Sequence, residues 1–192
     1  MDACLKESKQ ELDLISDPNL YEIMEKSICG GFVTVVRRKA YANNIHVPEN
    51  DPTLPNILLL LLDFNGLYAG IQESDMPIGF FKLLSKKQHI IFTDKLLNGT
   101  VDFSKDIVYW LEVDYHIPPE VARKTDELPL SVYVADNITG SAYMRNVLNG
   151  KPIPKGAKLV ATHLPMKKAV FHIKWLDLLM KLGLKVEKVH RV

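Results

Sequence analysis

Six aliphatic residues in unbroken succession, Ile57 to Leu62, run directly into Asp63. A bilayer span needs about 20 apolar residues, so this run is far too short to cross a membrane. Between Pro55 and Gly66 it reads as a strand buried on both faces. Leucine is a weak strand former, which leaves a helix start as the competing reading. On either reading Asp63 stands where the apolar run meets the surface. A carboxylate at that place can be a rigidly held cation ligand or the cap of a turn, and position alone does not separate the two.

Asp17-Pro18 predicts a helix start, because Asp caps free amides and Pro suits the first helical position. Leu20, Ile23, Met24 and Ser27 follow helical spacing, and Gly30-Gly31 stops the helix. Phe32 to Arg38 reads as a strand, and Ala42 to Pro55 as a long polar loop. After Asp63, Leu67 to Gln72 makes a helical turn or two before the turn Asp75-Met76-Pro77-Ile78-Gly79. Residues 82 to 107 read as loop-rich with a short strand at His89 to Phe92. A strand at Ile107 to Tyr115 is broken by Pro118-Pro119, and Thr125 to Lys155 is irregular. Lys158 to His163 and Ala169 to Phe171 read as strands. The amphipathic helix Lys174 to Leu182 ends at Gly183, and Val186 to Val192 is a last strand. Trp175, Leu176, Leu179 and Met180 are core by helical spacing. Strands and helices without regular alternation predict an α+β fold.

At 192 residues the chain can bury one sizeable core. Its hydrophobic fraction of 47% and charged fraction of 24% place it among ordinary globular proteins. A net charge of +1 carries no global basic excess of the kind a free-standing DNA binder uses. Local basic clusters remain at Arg37-Arg38-Lys39 and Lys167-Lys168. Cys4 and Cys29 have neither metal-knuckle nor disulfide-scaffold spacing, and the charged start Met1 to Asp13 lacks a signal-peptide core. The expectation is an intracellular protein that is not secreted. The triplets Asn98-Gly99-Thr100 and Asn137-Ile138-Thr139 are therefore chance matches to a glycosylation acceptor. Glu112 and Asp114 alternate on one strand face and read as solvated charges without a catalytic role. His163, His172 and His190 show no ligand spacing.

The segment Leu62-Asp63-Phe64-Asn65-Gly66-Leu67-Tyr68-Ala69-Gly70 resembles motif A of family B DNA polymerases. The usual form there is Asp-x-x-Ser-Leu-Tyr-Pro, and the protein-primed and Maverick/Polinton transposon branch often has Asp-x-Asn-Asn-Leu-Tyr-Gly. Further matches follow in the same order. Ser16 to Tyr21 and Glu25 to Gly31 resemble the segment between exonuclease and palm, and Ala40-Tyr41-Ala42-Asn43-Asn44 the Ala-x-Ala-Asn-Asn of the transposon enzymes. Met76 to Phe80 resembles their Leu-Pro-x-Gly-x-Phe turn, Trp110 to Tyr115 their Leu-Glu-Val-Asp strand, and Glu127 to Leu130 their Tyr-Pro-Leu. Lys158 to Thr162 and Leu182 to Val192 resemble the stretch leading to the fingers. The resemblance spans residues 16 to 192.

It implies a partial polymerase palm: residues 1–56 as an exonuclease–palm junction, 57–81 as the palm strand with motif A, 82–157 as an irregular insertion of the protein-primed type, and 158–192 as a palm segment. It implies that Asp63 is the catalytic, metal-holding residue, with Mg²⁺ or Mn²⁺ as the ion. Tyr68 becomes the gate beneath the incoming deoxyribose, while Phe64, Asn65, Gly66 and Leu67 turn amides toward the triphosphate. Gly30 and Gly31 contact template, with Arg37 and Arg38 as phosphate contacts; the simpler readings are a helix stop and a solvated strand end. The implied partners are a DNA primer–template, dNTP and a terminal protein, with no membrane. Gly66 and Ala69 depart from the family's commoner Ser or Asn and Pro or Gly. The fingers lysine helix and the Asp-Thr-Asp hairpin match nothing in these residues, and two-metal chemistry needs a second carboxylate. The expectation is a polymerase fragment that does not act alone; the alternative is a transposon-derived remnant or domesticated DNA- or protein-binding module. A palm sheet without that hairpin has an open edge, so the expectation is poor solubility, dimerisation by edge pairing or partial disorder.

Overall fold

The computed structural model describes residues 6–28, 30–102, 107–135, 140–152 and 156–192. Cys4, Cys29 and the Asn137–Thr139 triplet lie outside the described residues. The chain divides into two compact units, one of residues 1–32 with 78–192, the other Val33–Pro77.

The larger unit is α+β. Its elements are helix α1 (Pro18–Ser27), helix α3 (Lys86–Leu97), strand β1 (Trp110–His116), helix α4 (Pro119–Lys124), strand β2 (Ser131–Ala135), helix α5 (Ala142–Leu148), strands β3 (Lys158–Thr162) and β4 (Met166–His172), helix α6 (Ile173–Lys181) and strand β5 (Lys185–Arg191). β1 is the middle of a three-stranded sheet, antiparallel to β4 and to β5. β2 and β3 form a separate antiparallel pair.

Period-2 alternation sends Leu111, Val113 and Tyr115 of β1 to one face, where all three are buried. Ile173, Leu176 and Leu179 of α6 and Phe92 and Leu96 of α3 join them in one cluster. α6 ends in a Schellman motif: the Leu184 amide donates to the Leu179 carbonyl and the Gly183 amide to that of Met180. Gly183 takes φ +111, and a Cβ there would come within 2.6 Å of Val121 Cγ2. Asp17 caps α1, accepting from the Asn19 amide at 2.7 Å, as the Asp-Pro pair predicts. Ser85 and Gln88 build a reciprocal capping box at α3.

Residues 82–157 are thus less irregular than expected. The expected strand at His89–Phe92 lies inside α3, because the capping box and the Phe92/Leu96 spacing favour helix. The sheet centre, β1, belongs to this stretch, so it supplies the core rather than decorating it.

In the smaller unit, Asn43 and Ile57 form an isolated antiparallel bridge, and helix α2 spans Leu67–Gln72. Phe32–Arg38 is not a strand. Neither is Ile57–Asp63: beyond Ile57 the run pairs with no strand among the described residues. Leu58 to Leu62 are 62, 53, 70, 99 and 83% exposed, so the expected central, doubly buried strand is overturned. Apolarity alone does not make a strand; its backbone groups need a neighbouring strand to meet.

Candidate functional site

Asn43 organises the approach to Asp63. Its side chain accepts from the Asp51 amide at 2.9 Å and donates to the Asp51 and Pro55 carbonyls, each at 3.0 Å. Its backbone exchanges both hydrogen bonds with Ile57, at 2.9 and 2.7 Å. The buried Asn44 adds a bond from Nδ2 to the Ile57 carbonyl at 3.0 Å and accepts from the His46 amide. The Asn-Asn pair therefore closes the Pro-rich loop and fixes the start of the leucine run. Sequence resemblance singled out these two residues; their hydrogen-bonding role emerges only from the fold.

Asp63 and the turn after it are exposed throughout. Gly66 adopts φ +66, ψ 29, a left-handed conformation that Gly takes freely and Asn tolerates among side-chain-bearing residues. A glycine thus suits the backbone at position 66. The Gly70 amide donates to the Gly66 carbonyl and begins α2, and Tyr68 is 86% exposed on its first turn. Phe64 is exposed as well.

Among the described residues, no three His, Cys, Asp or Glu side chains gather to hold a metal ion. Asp63 is one carboxylate, and Mg²⁺ bound by protein takes a carboxylate or two plus substrate phosphates. The described residues do not bring together the carboxylates of a two-metal site. Gly30 and Gly31 have open space where a Cβ would be, so neither glycine is demanded by packing. Arg37 and Arg38 are exposed, and Lys39 lies over the Tyr41 ring at 4.7 Å.

In the larger unit the charged constellation is on the β1 face opposite Leu111 and Val113. Glu112, 3% exposed, receives Arg191 in a two-pronged pair, from Nε at 2.8 Å and Nη2 at 2.7 Å. Arg191 Nη1 also donates to Glu22 of α1 at 2.9 Å. The Arg191 hydrogen bonds hold the Glu112 carboxyl below its usual range, and in return Glu112 raises the guanidinium's pKa. Asp114 accepts the Lys168 amide at 2.8 Å, which lowers its pKa, and its Oδ1 lies 2.8 Å from His190 Nε2. Glu112 is therefore not the solvated charge its spacing suggested. No sequence signal pairs it with Arg191, because the register of β1 on β5 sets the contact. Tyr115 Oη and Ser131 Oγ share a hydrogen bond, and burial raises the tyrosine's pKa.

No helix among the described residues is long and apolar enough to cross a membrane. No family model, curated protein or solved structure matches this chain.

Proposed function

We propose that the chain is the motif-A segment of a family B DNA polymerase palm, of the protein-primed and transposon type, and that it handles DNA and nucleotide without polymerising by itself. The observation that carries this reading is the ordered series of resemblances from residue 16 to residue 192, centred on Asp63 to Tyr68. The exposed Tyr68 and the left-handed Gly66 are compatible with a gate beneath a sugar and a turn beside a triphosphate. Asp63 is one ligand of a metal site whose other carboxylates come from outside these residues. Primer–template, dNTP and a terminal protein are the partners of this reading, and Gly30, Gly31, Arg37 and Arg38 its DNA contacts.

That no three metal-ligating side chains gather among the described residues favours a second reading, a transposon-derived module that binds DNA or protein without catalysis. The two separate in an enzyme reconstituted with the fingers and an Asp-Thr-Asp hairpin supplied as a second polypeptide. On the polymerase reading, Asp63→Asn abolishes metal-dependent dNTP binding in that complex, read by fluorescence anisotropy. Unchanged binding removes Asp63 from the site. Salt-sensitive primer–template binding by the chain alone, with no nucleotide binding in the complex, selects the non-catalytic module.

A further inference from the structure

The two faces of the β4–β1–β5 sheet are closed in different ways. Beneath Leu111, Val113 and Tyr115 lies the cluster shared with α3 and α6. The opposite face, which carries Glu112, is packed by α1, resting on β4 and β1. Of α1 only Ile23 is buried, and it lies outside the main cluster. The helix is therefore attached to the sheet without being part of its core.

The polar attachment is built to part cleanly. Glu22 of α1 accepts from Arg191 Nη1 across the interface at 2.9 Å, and from Lys26 Nζ on its own helix at 2.7 Å. Arg191 keeps Nε and Nη2 on Glu112, within the sheet. Lifting α1 breaks the Glu22–Arg191 bond while Glu22 retains Lys26 and Arg191 retains Glu112. Neither charge is stranded, and stranding a buried charge is what makes such a pair costly to break. The Glu22 side chain is 46% exposed, so the bond across the interface is open to screening by salt. The flanks of the helix also differ. Before it, the Asp13 amide donates to the Ile78 carbonyl at 2.9 Å, and Asp13 Oδ2 accepts the Phe80 amide at 2.7 Å. Gly79 sits so close to that carboxylate that a Cβ would collide with it. After the helix, open space surrounds the Cβ position of Gly30 and Gly31.

We propose that α1 is a strap that opens as a unit while the sheet and its core stay folded, with Glu22–Arg191 as its catch and the Asp13 contacts as its fixed end. Opening uncovers the Glu112–Arg191 pair, so the strap controls access to the charged face of the sheet. Salt releases the catch and leaves the core intact. The inference does not rest on the polymerase reading and survives its failure.

Hydrogen exchange of the full chain, read by mass spectrometry under native conditions, tests it. Amides of α1 should exchange together, at least about tenfold faster than those of β1 and α6. Glu22→Gln should quicken α1 about two- to fivefold and leave β1 and α6 unchanged. Ile23→Ala should quicken α1 more, at least about tenfold, again without moving β1. Raising the salt to about 1 M should quicken α1 in the wild type and do little in Glu22→Gln, where the catch is already lost. Exchange of α1 in step with β1 and α6 overturns the proposal. So does a Glu22→Gln effect spread equally over all three elements, or a salt effect of the same size in wild type and variant.

Discussion

Leu176 and Leu61 are the same side chain in opposite circumstances. Leu176, on α6, is 0% exposed in the cluster beneath β1, whereas Leu61, in the densest apolar run of the sequence, is 99% exposed. The difference follows from what surrounds each. α6 presents its apolar residues on one stripe, and the sheet of β4, β1 and β5 offers a face of matching apolarity. The leucine run is apolar on every side and meets no second layer within its own unit. Burial needs a partner surface, and hydrophobicity on its own does not provide one.

The sharpest way to break this comparison is to truncate both leucines. Leu176→Ala should destabilise the chain by about 2–5 kcal/mol through lost contacts and a residual cavity. Leu61→Ala should stay within about 0.5 kcal/mol, the usual range for an exposed position. Urea denaturation followed by circular dichroism reads both, and a comparable loss at Leu61 would mean the run is covered in solution.

Next in size is the charge cluster. Arg191→Met leaves Glu112 buried without its cation, and should cost on the order of 3 kcal/mol. The folded-state pKa of Glu112 is depressed, so its stabilisation is present above the unfolded carboxylate value of about 4.3 and is lost as pH falls through the folded value. Denaturation midpoints taken from neutral pH into that acid range should fall in the wild type and fall less in Arg191→Met. An equal slope in the two proteins would remove the pair from the acid response.

The smallest effect belongs to the smaller unit. Asn43→Ala removes the side-chain bonds that close the loop, each worth about 1 kcal/mol net. Hydrogen exchange at the Asp51 amide should quicken about five- to tenfold while the global unfolding midpoint holds, because this unit shares none of the buried cluster beneath β1. Exchange unchanged at Asp51 would show that the backbone bridge alone fixes the loop.

Local chemistry was legible wherever short-range rules decide. Asp17-Pro18 announced α1, Gly183 announced the end of α6, and the strand read at Ile107 to Tyr115 before Pro118-Pro119 overlaps β1. Leu67–Gln72 came out as the short helix that the sequence implied. Ile57–Leu62 failed as a strand because strand pairing is non-local: no rule of spacing says which segment will lie alongside. His89–Phe92 failed because the Ser85/Gln88 capping box outweighs a β-branched pair. Of the site, the sequence named Asp63 and Tyr68 by resemblance and flagged Asn43 and Asn44, but gave no sign that Glu112 is buried against Arg191.

By itself, then, the sequence determined the α+β class, the start of α1, the short helix α2 and the end of α6, through caps, periodicity and helix-stop residues. Only the tertiary structure decided which strands pair, that Glu112, Arg191 and Glu22 converge, and that the leucine run stays open. Those outcomes depend on contacts between residues far apart in the chain, up to Glu22 with Arg191. Such contacts are fixed by register and packing, which no local pattern carries.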